Sequence, residues 1–241
     1  MTPRCYAIGD IHGQLDKLHA AHARIMADRA RTGDAEAPVI HLGDLVDRGP
    51  DSRGVIDHLL KGQFAGQPWV VLKGNHDRMF GYHLEGQRDP ALRAGLTYLD
   101  PRIGGRKTLE SYDIDPELPA PRIAAAVPEA HRDFIASLPC YHQTGELLFV
   151  HAGIRPGVAL DDQTENDLVW IRAPFLDFTG AHPWLVIHGH TTCKTPEHHG
   201  NRVDIDTGAG YDGPLTAIVV EGREIFVLTD EGRVPLRPDA G

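Results

Sequence analysis

The sequence predicts an α/β fold, because three short apolar segments in the first third of the chain are each followed by a loop and an amphipathic helix. The segments lie at residues 5–8, 39–42 and 69–72, and each leads into a turn that contains glycine. A repeated strand-loop-helix pattern is typical of parallel strands joined by crossover helices. We therefore expect a largely parallel sheet in the first half of the protein.

The helices are predicted from apolar spacing and from start signals. Leu15, Leu18 and Ile25 recur at the spacing of one helical face after the first strand. A Pro-Asp-Ser sequence at residues 50–52 marks the start of the second helix. A third, shorter helix is expected at about residues 77–83. Strands and helices together form three β-loop-α units.

Residues 86–130 interrupt this pattern with several prolines and a glycine pair, and we predict a mostly helical, irregular insertion that could act as a substrate lid. Five further strand-like segments follow, at residues 147–150, 184–187, 203–205, 215–220 and 225–228. A chain of 241 residues fits one α/β domain. We therefore expect a single domain over residues 1–241.

Composition excludes several classes of protein. The formal net charge of −10 argues against a nucleic-acid partner, which would require a basic surface. No apolar run approaches the roughly 18 residues of a membrane span, and the first residues lack a signal-peptide pattern. Cys5, Cys140 and Cys193 are odd in number and widely spaced, which does not suggest disulfides. We expect a cytoplasmic protein with no membrane partner.

Acidic, amide and histidine side chains follow the predicted strands. The motifs are Gly-Asp-Ile-His-Gly at residues 9–13, Gly-Asp-Leu-Val-Asp-Arg-Gly at 43–49 and Gly-Asn-His-Asp at 74–77. His151 and His190 follow two later strands. These side chains offer the oxygen and imidazole donors that divalent Mn, Fe or Zn accept. Since the ends of parallel strands converge, the sequence predicts a two-metal site.

The first ion is assigned to the first two motifs. Asp10 and His12 are two residues apart, so on extended backbone their side chains would leave the same side and bind one ion. The Asp44 carboxylate has two oxygens and could bridge two cations about 3.5–4 Å apart. A bridging Asp44 would explain how one motif serves both ions.

The second ion is assigned to Asp44 together with one amide and two histidines. Asn75 would bind through its neutral amide oxygen, and His151 and His190 through one neutral ring nitrogen each. His188 lies two residues before His190 and is the alternative ligand at this position. The choice between the two histidines is left open by the sequence.

The expected reaction is direct attack on phosphorus by a metal-bridging hydroxide, because two cations lower the pKa of a shared water. His76 is the candidate general acid to the leaving group, and Asp47 would hold its imidazole protonated and oriented. Arg48 and Arg172 offer planar guanidinium groups that can bind two phosphate oxygens each. No covalent intermediate is required in this scheme.

The three motifs resemble those of the PPP-type metallophosphoesterases of the calcineurin-like superfamily, which include bacterial serine/threonine protein phosphatases. The Asp-Arg-Gly at residues 47–49 is the most specific part, and the resemblance runs from residue 5 to about residue 215. It implies a four-layer αββα sandwich, the same ligand, acid and phosphate-binding residues, and Mn as first choice of metal. Asn-His-Asp and His-Ala-Gly, at residues 75–77 and 151–153, replace the eukaryotic Asn-His-Glu and His-Gly-Gly.

The resemblance implies hydrolysis of phosphomonoesters, with phosphoserine and phosphothreonine in proteins as the first substrate class and small phosphoesters as the second. The alternative is symmetrical hydrolysis of dinucleoside tetraphosphates such as diadenosine tetraphosphate. It requires an adenine pocket that the sequence does not reveal, with Tyr82, Tyr98 and Tyr211 as stacking candidates. A non-catalytic, metal-bound interaction domain is the third hypothesis. The intact Asn75-His76 pair argues against it, and no oligomeric state is predicted.

Overall fold

The computed structural model describes residues 4–238, so residues 1–3 and 239–241 of the predicted 1–241 domain lie outside the description. Within this range no helix is both long enough and apolar enough to cross a bilayer. The elements are, in chain order, β1 (Arg4–Ile8), α1 (Leu15–Thr32), β2 (Val39–His41), α2 (Ser52–Phe64), β3 (Trp69–Val71), α3 (Asn75–Leu84), α4 (Gly105–Ser111), α5 (Ala120–Ala126), α6 (Glu129–Ser137), β4 (Tyr141–Thr144), β5 (Leu147–Val150), a 3₁₀ turn (Leu160–Asp162), α7 (Glu165–Trp170), α8 (Ala173–Leu176), β6 (Leu185–His188), β7 (Glu197–His198), β8 (Arg202–Asp204), β9 (Ala217–Glu221), β10 (Glu224–Thr229) and β11 (Gly232–Leu236).

The strands form two mixed sheets. The larger has the order β11-β10-β9-β1-β2-β3 and the smaller the order β4-β5-β6-β8-β7. Strands β1, β2 and β3 are parallel, as predicted, whereas β9, β10 and β11 run antiparallel to their neighbours. Connection length explains the β9-β10 and β10-β11 pairs, since the short turns between these strands permit only hairpins. The parallel arrangement predicted for the first half of the protein is therefore confirmed, and the antiparallel strands of this sheet come from the second half.

Side chains that alternate between the two faces of each strand produce a four-layer packing of helices and sheets. In β1, Tyr6 packs with α1 and α2, while Cys5 and Ala7 pack against the second sheet. In β5, Phe149 faces the first sheet and Leu148 packs with α7 and α8. Because successive side chains of a strand point to opposite faces, each sheet is covered on both sides by apolar residues. The result is the predicted αββα sandwich.

The predicted insertion, residues 86–130, joins the main core. Leu109 is fully buried and Ile123 almost so, and both belong to the same apolar cluster as α1, α2 and α3. Helices α4 and α5 cover less than half of the segment, because Pro90 and Pro101 cannot lie inside a helix without breaking its hydrogen bonds. The segment is less helical than predicted and packs as part of the domain.

The three strands that sequence reasoning missed, β4, β7 and β11, all lie at sheet edges. An edge strand is solvated along one side and carries a weaker apolar pattern than a central strand. Strand β11 even contains Pro235, which is tolerated there because an edge position does not need every backbone N–H. Strand β3 is also at an edge but is the apolar run Trp-Val-Val, whereas β4, β7 and β11 are short or polar, which explains why no apolar pattern marked them.

Three histidines form a hydrogen-bonded chain between α1, α2 and β2. His41 Nδ1 donates to the Val70 carbonyl (3.2 Å), which leaves His41 Nε2 to accept from His22 Nε2 (2.9 Å). His22 Nδ1 then accepts from His58 Nε2 (2.9 Å). Neutral rings satisfy every bond in this chain, and His41 is fully buried.

Acid is expected to destabilise the protein in part through this chain. Burial lowers the pKa of His41 to about 4 and that of His22 to about 2, against an ordinary value near 6.5. Since the folded pKa is the lower one, the neutral rings stabilise the fold fully above about pH 6.5, and this contribution declines as the pH falls. His41→Gln cannot gain a charge, so between about pH 7.5 and 4.5 it should lose less stability, by on the order of 2 kcal/mol. Urea unfolding at both pH values measures the difference, and equal losses would contradict the prediction.

Candidate active site

The predicted metal ligands all lie just beyond the carboxyl ends of strands β1, β2, β3, β5 and β6. They are, in chain order, Asp10, His12, Asp44, Asn75, His151 and His190, and all six are buried. The first three strands belong to one sheet and the last two to the other. The site therefore lies where the carboxyl edges of the two sheets meet, which is the usual position of a site in α/β proteins.

The backbone is strained at this edge. Within residues 4–238, positive φ angles at non-glycine residues occur at His12 (48°), Asp44 (49°), Asp47 (74°), Arg48 (66°), Asp113 (59°) and His190 (66°). All except Asp113 belong to the predicted site. Each such conformation costs on the order of 1–3 kcal/mol and persists only where surrounding contacts enforce it. Contacts in the folded protein therefore hold these residues in backbone conformations that non-glycine residues rarely adopt.

The loops after β2 and β3 are in close contact, and glycines make this possible. Gly43 has φ +96°, and a Cβ added there would lie 2.4 Å from the Gly74 backbone nitrogen. Asp77, which sequence reasoning did not assign, accepts hydrogen bonds from Leu45 N (2.9 Å) and Gly74 N (2.8 Å). Its carboxylate ties both loops together, and so fixes Asp44 and Asn75 relative to each other.

Two ring nitrogens of the predicted second ion's ligands lie close to the Asn75 amide oxygen. His151 Nδ1 donates to the Leu42 carbonyl (2.9 Å), so the neutral ring carries no hydrogen on Nε2. That bare Nε2 lies 2.9 Å from Asn75 Oδ1, and His190 Nδ1 lies 2.8 Å from the same oxygen. An imidazole nitrogen without a hydrogen and an amide oxygen repel each other through their lone pairs unless both bind one cation. The residues present therefore fit a bound cation.

Asp44 lies between two groups of donor atoms. Its Oδ2 is 3.4 Å from His12 Nε2, and its Oδ1 is 3.4 Å from His151 Nε2. Among residues 4–238, three-residue groups of His, Cys, Asp or Glu with donor atoms within 4.8 Å of one another are His12-Asp44-His76 and Asp10-Asp44-His151. Asp44 belongs to both, as bridging requires. In these groups His76 lies beside His12, and Asp10 lies beside His151.

The electrostatics of the cluster also suit a cation. Burial raises the pKa of Asp10 well above its ordinary value, and the Asp206 and Asp44 carboxylates raise it further. Burial lowers the pKa of His12 and His190 well below the ordinary value, so these rings are neutral. Neutral imidazole is the form that binds metals, and buried carboxylates need a compensating positive charge. Mn, Fe or Zn would match this donor set.

His76 and Arg48 occupy the centre of the site. His76 Nδ1 donates to Asp47 Oδ2 (2.7 Å), as expected for an oriented acid, and its Nε2 accepts from Arg48 Nη2 (2.9 Å). Arg48 Nη1 also donates to His12 Nε2 (2.7 Å). The guanidinium must therefore move away from both rings before His76 Nε2 carries a proton or His12 Nε2 binds a cation. A phosphate group entering the site would attract it.

Two residues of the insertion bind Asp47; the sequence suggested Tyr98 only for base stacking and did not single out Thr108. Tyr98 Oη donates to Asp47 Oδ1 (2.5 Å), and Thr108 Oγ1 donates to the same oxygen (2.6 Å). They lie 51 and 61 residues from Asp47 along the chain, and no local motif marks them. Only the fold brings them to the site.

His190 and not His188 lies in the site. The side chains of β6 alternate between its two faces, and His188 points to the outer helical layer, where its ring is 5.0 Å from that of Phe175. Its Nδ1 donates to the Gly189 carbonyl (3.0 Å). His188 is therefore a buried packing residue, and of the two histidines it is His190 that lies with the other proposed ligands.

The site opens into a cavity of about 330 Å³ that includes both predicted phosphate-binding arginines. Arg172 Nη2 lies 3.4 Å from the His190 carbonyl. Trp170 and Tyr211 also line the cavity, and Tyr211 is 57% exposed with its ring centre 4.6 Å from the Arg48 guanidinium. The cavity thus combines cationic groups with an accessible aromatic face.

Of the three tyrosines considered from the sequence, Tyr211 alone lines this cavity. Tyr98 is buried behind Asp47, and Tyr82 lines a separate cavity of about 620 Å³. Tyr211 is therefore the stacking candidate that the structure retains.

Comparison with known proteins agrees with this geometry. The profile of the calcineurin-like phosphoesterase family matches residues 3–213. The asymmetrical bis(5'-nucleosyl)-tetraphosphatase PrpE of Anoxybacillus flavithermus is 27% identical over 237 residues, which covers 88% of each chain. The PrpE protein of the same name from Halalkalibacterium halodurans is 26% identical over 254 residues, covering 95% of this chain and 94% of the relative.

Solved structures share the fold at lower identity. A protein described as a candidate diadenosine tetraphosphatase has a TM-score of 0.62 at 20% identity, covering 98% of this chain and 95% of the other. The cold-active protein-tyrosine phosphatase of a psychrophilic Shewanella sp. has a TM-score of 0.64 at 17% identity, covering 98% and 81%. A Saccharomyces cerevisiae serine/threonine phosphatase similar to human phosphatase PP5 has a TM-score of 0.56 at 16% identity, covering 92% and 73%. Since the family profile spans most of the chain and the fold agrees with it, the protein belongs to the calcineurin-like phosphoesterase family.

Proposed function

We propose that this protein is a metal-dependent hydrolase of dinucleoside tetraphosphates that releases a nucleoside triphosphate and a nucleoside monophosphate. The observation that carries the proposal is the match, over 88% of both chains, to a relative named as an asymmetrical bis(5'-nucleosyl)-tetraphosphatase. This reverses the order of substrates expected from the sequence, where phosphoserine and phosphothreonine came first. It also replaces the symmetrical cleavage expected there with asymmetrical cleavage.

The structural neighbours that act on proteins do not favour the phosphoprotein substrate. The tyrosine and serine/threonine phosphatases are 17% and 16% identical to this chain, which supports a shared fold and no more. Protein phosphatase activity therefore stays as the competing hypothesis in the experiment below.

The metal ligands we propose are Asp10, His12, Asp44, Asn75, His151 and His190. Bound as a pair, divalent cations would acidify the attacking water and balance the charge of the phosphate oxygens. The Asp44 carboxylate faces donors on both of its sides, which supports a pair of ions over a single one. Mn stays the first choice, with Fe and Zn as alternatives.

The chain's own groups then account for the remaining chemistry. Arg48 and Arg172 bind phosphate oxygens, and this draws Arg48 away from His76 and His12. Water attacks phosphorus in line with the bond to the leaving nucleotide, and that P–O bond breaks. His76 Nε2 gives a proton to the leaving oxygen, while the Asp47 carboxylate holds the ring through Nδ1.

Tyr211 supports a nucleotide substrate. Its exposed ring lies at the cavity beside a phosphate-binding arginine, where a base could stack while the phosphate chain reaches Asp44. Stacking on an aromatic side chain tolerates every base, because every base has a π face. Selection would then depend on the phosphate chain more than on the base.

The test compares three substrates with metal-stripped protein reconstituted with Mn: diadenosine tetraphosphate, a phosphothreonine peptide and 4-nitrophenyl phosphate. We expect the nucleotide to have the highest kcat/KM and chromatography to show ATP and AMP. Two molecules of ADP would overturn asymmetrical cleavage, and a higher kcat/KM for the peptide would restore the protein phosphatase hypothesis. No turnover with both metal positions filled would favour the non-catalytic interaction domain.

The proposed partners are small phosphoanhydride or phosphoester substrates, with no nucleic acid and no membrane, and the proposed location is the cytoplasm. The acidic net charge of −10 supports the exclusion of nucleic acid. All three cysteines are free thiols, which fits a reducing compartment.

A further inference from the structure

We infer that Tyr98 and Thr108 are positioning residues for the reaction, because their hydroxyl groups fix the Asp47 carboxylate so that its second oxygen aims the His76 imidazole at the leaving group. The inference rests on the proposed function, in which His76 is the acid. Neither residue touches the cavity that holds the substrate. Both come from the insertion, which thereby acquires a role in the chemistry.

The two oxygens of Asp47 have separate partners. Oδ1 accepts from Tyr98 Oη (2.5 Å) and Thr108 Oγ1 (2.6 Å), and Oδ2 accepts from His76 Nδ1 (2.7 Å). Because two donors hold Oδ1, the carboxylate cannot rotate, and Oδ2 stays directed toward His76 Nδ1. A carboxylate held on one side only would rotate, and the imidazole would rotate with it.

Thr108 also fixes the backbone of this residue. The Asp47 N–H donates to Thr108 Oγ1 (2.8 Å) and to Ser52 Oγ (3.1 Å), and Asp47 has φ 74°. A non-glycine residue in this conformation needs contacts that hold it there. The same hydroxyl therefore holds both the backbone and the carboxylate of Asp47.

Tyr98 is rigid and keeps its proton. It is 5% exposed, and its ring lies against Phe80 (6.0 Å between ring centres) and His83 (4.8 Å). Burial and the Asp47 carboxylate raise the pKa of Tyr98 well above its ordinary value, so the hydroxyl stays a donor. A hydrogen bond from a fixed, neutral donor to a buried carboxylate is a strong one.

Tyr112 provides a matched control within the same insertion. It is 6% exposed, and its hydroxyl is hydrogen-bonded to His131 Nδ1 (2.8 Å), away from the catalytic cavity. Tyr98→Phe and Tyr112→Phe each remove one buried hydroxyl and leave the ring in place. A purely structural cost should be similar in the two variants.

The first experiment measures kcat and KM for 4-nitrophenyl phosphate and diadenosine tetraphosphate with Mn-loaded enzyme. We expect Tyr98→Phe to lower kcat roughly 10- to 100-fold with KM nearly unchanged, since a hydrogen bond to a charged group is lost. Tyr112→Phe should stay within about two-fold of wild type. Thr108→Val should behave like Tyr98→Phe, and Thr108→Ser, which keeps the hydroxyl, should restore turnover. Equal losses in Tyr98→Phe and Tyr112→Phe would overturn the inference.

A double-mutant cycle with His76→Ala separates this inference from the proposed function. If Tyr98 acts through His76, then Tyr98→Phe should lower kcat no further in the His76→Ala background. A full additional loss there would overturn the positioning role while leaving His76 as the acid. An unchanged kcat in His76→Ala alone would instead overturn the acid assignment, and the inference with it.

A readout in metal-free protein does not depend on turnover. The Nδ1–H of His76 bonds to Asp47, and its resonance can be assigned by its loss in His76→Ala after ¹⁵N labelling of histidine. We expect this resonance to shift in Tyr98→Phe and in Thr108→Val, and to stay in place in Tyr112→Phe. An unmoved resonance in a folded Tyr98→Phe protein would contradict the positioning role.

Discussion

Asp44→Asn is expected to lower the occupancy of both metal positions and to reduce turnover by roughly 10³-fold or more, since metal charge contributes several kcal/mol to phosphoryl-transfer transition states. Asp44 is the residue shared by both donor groups, with one oxygen 3.4 Å from His12 and the other 3.4 Å from His151. Asparagine keeps the shape but removes the negative charge and one of the two oxygens. Neither position would then have its bridging carboxylate.

The substitution should spare the fold. Asp44 Oδ1 accepts from the His76 backbone N–H (2.9 Å), and the oxygen of asparagine can still accept this bond. Elemental analysis of metal per protein after reconstitution with Mn gives the occupancy, and urea unfolding of metal-free protein checks the fold.

Asp89→Asn is the matched control, because Asp89 is another buried carboxylate, held by Arg78 through two hydrogen bonds outside the site. It should keep its metal content even if it loses stability. Wild-type metal content in Asp44→Asn would exclude the bridging role. Loss of one ion alone would place Asp44 at a single position.

The position of the candidate site was predictable because the proposed ligands lie close in sequence to the strands that carry them. Asp10 and Asp44 each follow a strand by two or three residues, so locating the strand also locates the ligand. Burial on both faces made the central strands continuous apolar runs, which are easy to find. The αββα layers followed from the resemblance that these motifs carry.

The close contacts among the donor atoms were less predictable. His76 lies in one group with His12 and Asp44, and His151 lies in the other with Asp10 and Asp44, which two-residue spacing does not indicate. The turn after β1 is not extended backbone, since His12 has φ 48°. The assignment of Asp10 and His12 to one ion stays a prediction.

The contacts between Asp47 and the insertion could not be predicted from the sequence. Tyr98 and Thr108 reach Asp47 only because the insertion packs into the main core, and nothing near them in sequence indicates a partner 51 or 61 residues away. Tyr211 was one of three stacking candidates in the sequence, but its place beside Arg48 depends on the loop after β8. Contacts of this kind are a property of the packed core.

The positive φ angles and the hydrogen bonds of Asp47 and Arg48 both help to position the His76 imidazole. Asp47 and Arg48 are consecutive residues with positive φ, and one side chain holds His76 while the other donates to it. The two side chains therefore contact the two nitrogens of one imidazole, Asp47 at Nδ1 and Arg48 at Nε2. Under the proposed function, substrate phosphate would compete with His76 Nε2 for Arg48, so substrate binding would free the nitrogen that is to carry the proton.

His76→Ala is expected to lower kcat by roughly 10²–10⁴-fold with metal content near that of wild type, because general acid catalysis is worth about that much. The imidazole would be lost while the six proposed ligands remain. The loss should be larger for 4-nitrophenyl phosphate analogues with more basic leaving groups, since these depend most on a proton from His76. A series of aryl phosphates assayed with Mn-loaded enzyme measures this dependence.

His131→Ala is the control for removing a buried histidine, since His131 is 5% exposed and is bonded to Tyr112 and Asp57 away from the site. The His131→Ala variant should retain the wild-type dependence of kcat on the leaving group, even if its urea unfolding midpoint falls.

His76 also lies within 4.8 Å of His12 and Asp44 donor atoms, so the alternative to the acid role is that His76 is a metal ligand. Metal loss in His76→Ala with an unchanged dependence on the leaving group would assign it that role and remove it from proton transfer.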